Sequence, residues 1–224
     1  MVKPVTLPEQ TLQDISQHLD LAVANRALAD QDPIAIVRWA LALGGTTIAT
    51  TSMGVNAAAT LYAVAEVDKH IPVVWVDTGF NTADTHRVAN ILVNRLGFNI
   101  HVFRPAHSAD AIVREFQGVP TLEEPIAHQR FTHRVKLEPF QRALATLRPT
   151  VWISGIRADE TDHRAQLDIV TRDPRGILKV APFYHFSEGQ LQRFMDLHGL
   201  PTCRHYFDPT KLLPGRECGL HTAS

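Results

Sequence analysis

The residues best suited to covalent chemistry sit together near the end of the chain, in Arg216-Glu217-Cys218-Gly219-Leu220-His221. A cysteine in a short charged segment, beside an arginine and three residues before a histidine, has neighbours that favour the thiolate, the nucleophilic form. Glu217 works against this by placing a negative charge next door, and an incidental cysteine in a tail is the competing reading. Cys203 is the only other cysteine. Two thiols exclude a disulfide scaffold and any four-cysteine zinc or iron–sulfur site within one subunit. The twelve histidines include no HxxxH or HxH pair. His128 and His133, five apart, read as solvated loop side chains rather than as metal ligands.

A second group of residues suits anions. Lys136, Arg157 and Arg164 are cations near predicted element ends, and forked guanidinium groups match phosphate and sulfate oxygens. Three small-residue turns follow apolar runs: Thr51-Ser52-Met53-Gly54-Val55-Asn56, Val76-Asp77-Thr78-Gly79-Phe80 and Ser154-Gly155-Ile156-Arg157. Turns that open helices beyond parallel strands present free amides to phosphate, although plain helix starts use the same residues. The first turn lacks the lysine of a Walker loop and the three glycines of the dinucleotide fingerprint. Around Arg157 and Arg164, the competing reading is a solvated loop in which Asp159, Glu160 and Asp162 are local partners. The formal net charge of -1 provides no global field for nucleic acid or an anionic membrane, so an anion must be held locally.

Positioning these groups requires a scaffold, and the hydrophobic pattern predicts one. Residues 46–50, 71–76, 99–103, 150–155 and 177–180 read as strands, and residues 34–43, 56–68, 82–96, 135–145 and 187–198 as helices, after a polar helical segment over 7–29. Alternating strands and helices imply an α/β fold: an open, mostly parallel twisted sheet with helices on both faces. Residues 105–134 look least regular and suit a lid. From Gly199 onward periodicity is absent, and Pro201, Pro209, Pro214, Gly215 and Gly219 suggest an irregular C-terminal tail. The expected organisation is a nucleotide-binding α/β domain over 1–200 and a tail over 201–224 that carries the reactive cysteine. Residues 39–65 carry no charge, but their glycines, Asn56 and hydroxyls break them into strand, turn and helix rather than a membrane span. The N-terminus lacks a secretory pattern, which points to the cytoplasm.

The order TTSMGVNAA, VDTGF, KLEPF, GIRADETDHRA and RECGLH resembles the phosphoadenylyl-sulfate (PAPS) reductases of assimilatory sulfate reduction, over nearly the whole chain. The first two turns are shared with the wider adenine nucleotide alpha hydrolase group, whereas the ECGLH ending is specific to sulfonucleotide reductases. The resemblance implies that Ser52, Met53, Gly54 and Asn56 line a phosphate loop and that Asp77, Thr78 and Gly79 line a nucleoside pocket. It also implies that Lys136, Arg157 and Arg164 meet anionic groups, with Arg216 a further substrate-binding residue, and that Cys218 is the nucleophile with His221 nearby. Thioredoxin or glutaredoxin is the implied reductant. Neither an iron–sulfur cluster nor a flavin is expected, because Phe131-Thr132 stands where cluster-bearing relatives carry a cysteine pair. A shortened connection before ECGLH contains Cys203, and an internal Cys203–Cys218 disulfide is an alternative to external resolution. Oligomeric state stays open, with a homodimer among the options. Competing functions are a cluster-free adenylyl-sulfate reductase, an ATP pyrophosphatase-type enzyme and a non-catalytic sulfonucleotide-binding protein.

Overall fold

A computed structural model describes residues 19–211, 217 and 220 of the 224. The first half of the helical segment expected over 7–29 lies outside the described residues. Its second half is α1, Leu21–Leu28, capped by the Asp20 carboxylate, which accepts from Val23 N at 3.1 Å. Asp32 caps α2, Pro33–Ala42, where Pro33 fits the first turn because its missing N–H would have no helical partner.

Two strand–helix units and a third strand follow: β1 (Thr47–Thr51) and α3 (Ala57–Asp68), β2 (Pro72–Val76) and α4 (Ala83–Leu96), then β3 (Asn99–Phe103). Thr82 caps α4 and Gly97 ends it in the left-handed conformation. After α5 (Ala109–Phe116), α6 (Pro125–Thr132) and α7 (Glu138–Leu147) come β4 (Val151–Ile153), β5 (Val170–Arg172), β6 (Leu178–Val180) and α8 (Glu188–Leu197). The sheet runs β3-β2-β1-β4-β6-β5, with every neighbouring pair parallel except β5 against β6.

The central strands alternate their side chains between two apolar layers. Ala49, Val151 and Ile153 face a large core shared with α2, α3, α4 and α8. Ile48, Val74 and Trp152 face a smaller core closed by Phe140, Ala143 and Leu144 of α7. The sheet is therefore covered on both sides, as a parallel sheet requires.

Four expectations need correction. The polar loop after Arg157 contains β5, a three-residue strand too short to show a period. Its outer edge is closed by Asn25, whose amide accepts from Val170 N at 2.8 Å and donates to Val170 O at 3.0 Å, in place of another strand. The region read as irregular over 105–134 holds α5 and α6, packed around buried Ile112, Phe131 and Val135. The helix expected over 135–145 is α7 preceded by a wider π turn, His133–Leu137. Pro139 has no N–H and would crowd the carbonyl four residues back, which the wider turn relieves. His128 is buried in α6 with Nε2 3.3 Å from the Pro209 carbonyl, because residues 208–210 pack over that helix. No helix among the described residues is long and apolar enough to cross a membrane.

Candidate active site

Between β1 and β4 the strand order reverses, since β2 and β3 lie to one side of β1 and β4 and β6 to the other. Crevices at the carboxyl ends of strands open at such a switch point. A cavity of about 440 Å³ occupies this one.

One wall is made by strand ends. After β1 the chain turns sharply through Met53, whose φ of 53° is uncommon for a residue with a side chain, and Met53 N donates to Thr51 Oγ1 at 2.9 Å. Ser52, Gly54 and Asn56 line the cavity. A Cβ at Gly54 would stand 3.4 Å from the Tyr206 ring, so the loop is pressed beneath the tail segment. Asn56 opens α3 without capping it. Its Nδ2 lies 3.1 Å from both Glu188 oxygens, and its buried Oδ1 has no partner among the described residues. After β4, Ser154 is 1% exposed and its Oγ also lacks a partner among the described residues. At Gly155 a Cβ would come within 2.9 Å of Thr60 Oγ1, so only glycine lets β4 end this close to α3.

The other wall is charged. Lys136 Nζ lies 2.5 Å from Asp208 and 3.3 Å from Thr210 Oγ1. Arg157 donates from Nε to Asp159 at 3.0 Å and from Nη2 to Glu188 at 2.6 Å. Arg164 donates from Nη1 to Glu160, and from Nε and Nη2 to the two oxygens of Glu217 at 2.7 and 3.1 Å. Burial alone would raise the Asp208 and Glu217 carboxyls, but Lys136 in one case and Arg164 with Thr161 in the other overcome it, so both lie below their ordinary values. Burial likewise opposes the Arg164 charge, and Glu160 and Glu217 outweigh it, raising that group above its usual value.

Ser52, Gly54, Asn56, Thr78, Lys136, Arg157 and Arg164 thus meet at one cavity. Met53, Asp77 and Gly79 do not line it. Met53 is turned into the core, and Asp77 braces its turn by accepting from Gly79 N, Asn81 Nδ2 and Arg104 Nε. Arg216, Cys218 and His221 lie outside the described residues. Glu217 and Leu220, on either side of Cys218-Gly219, are described: Glu217 sits on Arg164, and Leu220 lines the cavity. The reading of Arg157 and Arg164 as parts of a solvated loop is corrected, since both are 5% exposed. Cys203 is wholly buried in the large core, 3.4 Å from Thr85 Oγ1, and burial pushes its thiol upward. It would have to leave the core to resolve an adduct, which argues against the internal disulfide.

Sequence reasoning missed Ser154 as an individual cavity-lining group, and it missed Glu188, Tyr206, Asp208 and Lys211. The first stood in a turn already singled out. Glu188, Tyr206 and Asp208 lie more than 20 residues from the motifs they meet, and only Asp208-Pro209-Thr210, a turn pattern, marked the spot. No group of three or more metal-ligating side chains occurs among the described residues.

The phosphoadenosine phosphosulfate reductase domain family matches residues 46–210. A phosphoadenosine 5′-phosphosulfate reductase from Alkalilimnicola ehrlichii is 35% identical over 188 residues, covering 81% of this chain and 74% of the relative. One from Synechococcus sp. is 31% identical, covering 81% and 78% respectively. Among solved structures, a PAPS reductase from Candida auris in complex with phosphate has the same fold, with a TM-score of 0.68 at 17% identity over 90% of this chain and 92% of that one.

Proposed function

Because the chain belongs to the phosphoadenosine phosphosulfate reductase family, we propose that it reduces 3′-phosphoadenylyl sulfate to sulfite and adenosine 3′,5′-bisphosphate in assimilatory sulfate reduction, with thioredoxin or glutaredoxin as the electron donor. The observation that carries this reading is a cavity at the sheet's switch point, bounded by a helix start without a side-chain cap, two polar atoms without partners among the described residues, and the cations Lys136, Arg157 and Arg164, with Glu217 on Arg164 and Leu220 in its lining.

In this reading the Cys218 thiolate attacks the sulfur of the sulfuryl group. The S–O bond to the nucleotide breaks, its electron pair leaves on the phosphate, and Cys218 becomes an S-sulfocysteine. A thiolate of the donor protein then attacks Cys218 Sγ and expels sulfite. The mixed disulfide is resolved by the donor's second thiol, so two thiols are oxidised for each sulfur reduced. The electron pair is supplied by thiols, and two cysteines per chain cannot ligate a four-iron cluster. A reducing cytoplasm is the compartment that suits this cycle.

Negative charge grows on the departing phosphate, so Lys136, Arg157 and Arg164 act as a preset positive field rather than as bases. Ser52, Gly54 and Asn56 with the start of α3 receive phosphate oxygens, Ser154 Oγ donates to one of them, and Thr78 borders the nucleoside. Met53, Asp77 and Gly79 serve by shaping the two turns. Arg216 and His221 are assigned to the neighbourhood of the nucleophile, where positive charge favours the thiolate.

The test is to incubate the protein with PAPS and no reductant and to map mass by peptide. One SO₃ equivalent on the Cys218 peptide and none on the Cys203 peptide is expected. Cys218→Ser should bind nucleotide but release no sulfite, and undiminished release would end the proposal.

A further inference from the structure

The donors at the start of α3 already hold an anion, and it belongs to the protein. Glu188, the first residue of α8, lines the cavity with both carboxylate oxygens 3.1 Å from Asn56 Nδ2, and its Oε2 accepts from Arg157 Nη2 at 2.6 Å. An amide N–H and a guanidinium prong beside a helix start without a side-chain cap are the donors that an oxyanion would use. The Arg157 side chain is 6% exposed and that of Glu188 59%. The cation is thus fixed, while the carboxylate has solvent to turn into.

The surroundings let the glutamate leave without loosening its neighbours. Arg157 Nε stays on Asp159 Oδ1 at 3.0 Å, and Asp159 Oδ2 accepts from Glu188 N at 3.1 Å. The Arg157 main-chain N–H is held by Glu160 at 2.9 Å. The start of α8 is closed by a reciprocal cap between Ser187 and Gln190, so it does not depend on the Glu188 side chain. Of the two carboxylates on Arg157, Asp159 orients it and Glu188 occupies it.

We propose that Glu188 is a specificity-determining residue that acts as the resident counter-anion of the cavity: it fills the Arg157 Nη2 and Asn56 Nδ2 donors in the free protein and turns out when a phosphate or sulfuryl group takes its place. Every incoming anion then has to displace the same carboxylate. Free inorganic phosphate or sulfate has little else to gain, whereas a nucleotide adds contacts along the strand-end wall that offset the exchange. The identity of the nucleotide rests on the reductase reading, and the exchange itself rests on the geometry alone.

The experiment reads anion affinity directly, with inorganic phosphate followed by phosphorus-31 NMR titration and adenosine 3′,5′-bisphosphate by calorimetry. Glu188→Gln keeps the shape and removes the charge, so both Kd values should fall by about five- to tenfold, the difference between a charged and a neutral acceptor on the same donors. Adenosine, which brings no anion, should bind parent and variant equally. Glu188→Asp separates occupancy from plain repulsion, because it keeps the negative charge on an arm too short to reach Arg157 Nη2 and Asn56 Nδ2 together. Occupancy predicts that the aspartate variant binds phosphate nearly as tightly as the glutamine variant, and repulsion predicts the parent's weaker value. A phosphate Kd in Glu188→Gln that is unchanged or worse overturns the proposal, as does an aspartate variant equal to the parent. Adenosine that tightens as much as the anions overturns it too, as does phosphate that binds neither parent nor variant. If phosphate tightens as expected while the bisphosphate binds none of the proteins, the exchange stands and the reductase reading fails, so the two failures are told apart.

Discussion

The two walls of the cavity are built on opposite principles. The strand-end wall is set by backbone: a residue at positive φ, two glycines pressed against neighbouring groups, and polar atoms of Asn56 and Ser154 without partners among the described residues. The facing wall is set by charge, and Lys136, Arg157 and Arg164 each already hold at least one carboxylate. An unpaired buried hydroxyl gains a hydrogen bond when a ligand arrives, whereas a paired arginine must exchange one carboxylate for another anion. On the proposed reading the first wall receives the ligand, and the second ties the cavity to the segments that own the carboxylates: α8 through Glu188, residues 208–210 through Asp208 and Glu217 beyond them.

The sharpest way to break this contrast is to remove one member of a buried pair on the charged wall. Lys136 and Asp208 have side chains 8% and 6% exposed. Lys136→Met leaves Asp208 buried without its counter-charge and should lower the unfolding free energy by about 3–5 kcal/mol in urea titrations. Asp208→Leu added to it should recover most of that loss. A single variant as stable as the parent would show that the pair is not structural. On the strand-end wall the failure is steric. Gly155→Val forces a Cβ against Thr60 Oγ1 and should cost about 1–3 kcal/mol, and Thr60→Ala in the same protein should relieve part of it. No relief would place the strain elsewhere.

These walls were unequally legible in the sequence. Turns such as Thr51-Ser52-Met53-Gly54 and Ser154-Gly155 announce themselves because small polar residues follow an apolar strand, and a parallel sheet puts all such turns at one edge. The partners of the cations do not announce themselves. Glu188 lies 31 residues from Arg157, Glu217 53 from Arg164 and Asp208 72 from Lys136, and nothing local selects which carboxylate folds back. Cys203 sits between Thr202 and Arg204, polar neighbours that gave no hint of its burial in the core. Strand β5 has three residues and is held by a side-chain amide of Asn25, a contact 145 residues away that leaves no periodic trace.

Ser154 sharpens the comparison with a smaller effect. Removing a buried hydroxyl that has no partner among the described residues leaves none of them unsatisfied, so Ser154→Ala should keep the unfolding free energy within about 0.5 kcal/mol of the parent. If that hydroxyl donates to an anionic oxygen of the nucleotide, its loss should weaken binding by about 1.5–3 kcal/mol, roughly ten- to a hundredfold in Kd by equilibrium dialysis. An unchanged Kd removes Ser154 from the ligand's contacts.

The smallest effect is a titration on the charged wall. Glu217 faces Arg164 and Thr161, with the positive charge of Lys211 also acting on it, and it lies in the field of Lys179. Desolvation raises its carboxyl and the hydrogen bonds from Arg164 and Thr161 lower it, with a net depression below the ordinary value near 4.3. A depressed carboxylate contributes stability that is fully present above its unfolded value and is lost as pH falls through the folded one. The Glu217–Arg164 pairing should therefore be independent of pH from neutrality down to about 4.3, weakening only below that. A carbon-13 titration of the Glu217 carboxyl in the free protein should show a midpoint under the ordinary glutamate value, and the same titration in Thr161→Val should move the midpoint upward by loss of one donor. A midpoint at or above 4.3 in the parent would mean that the carboxylate is not held by Arg164 in solution.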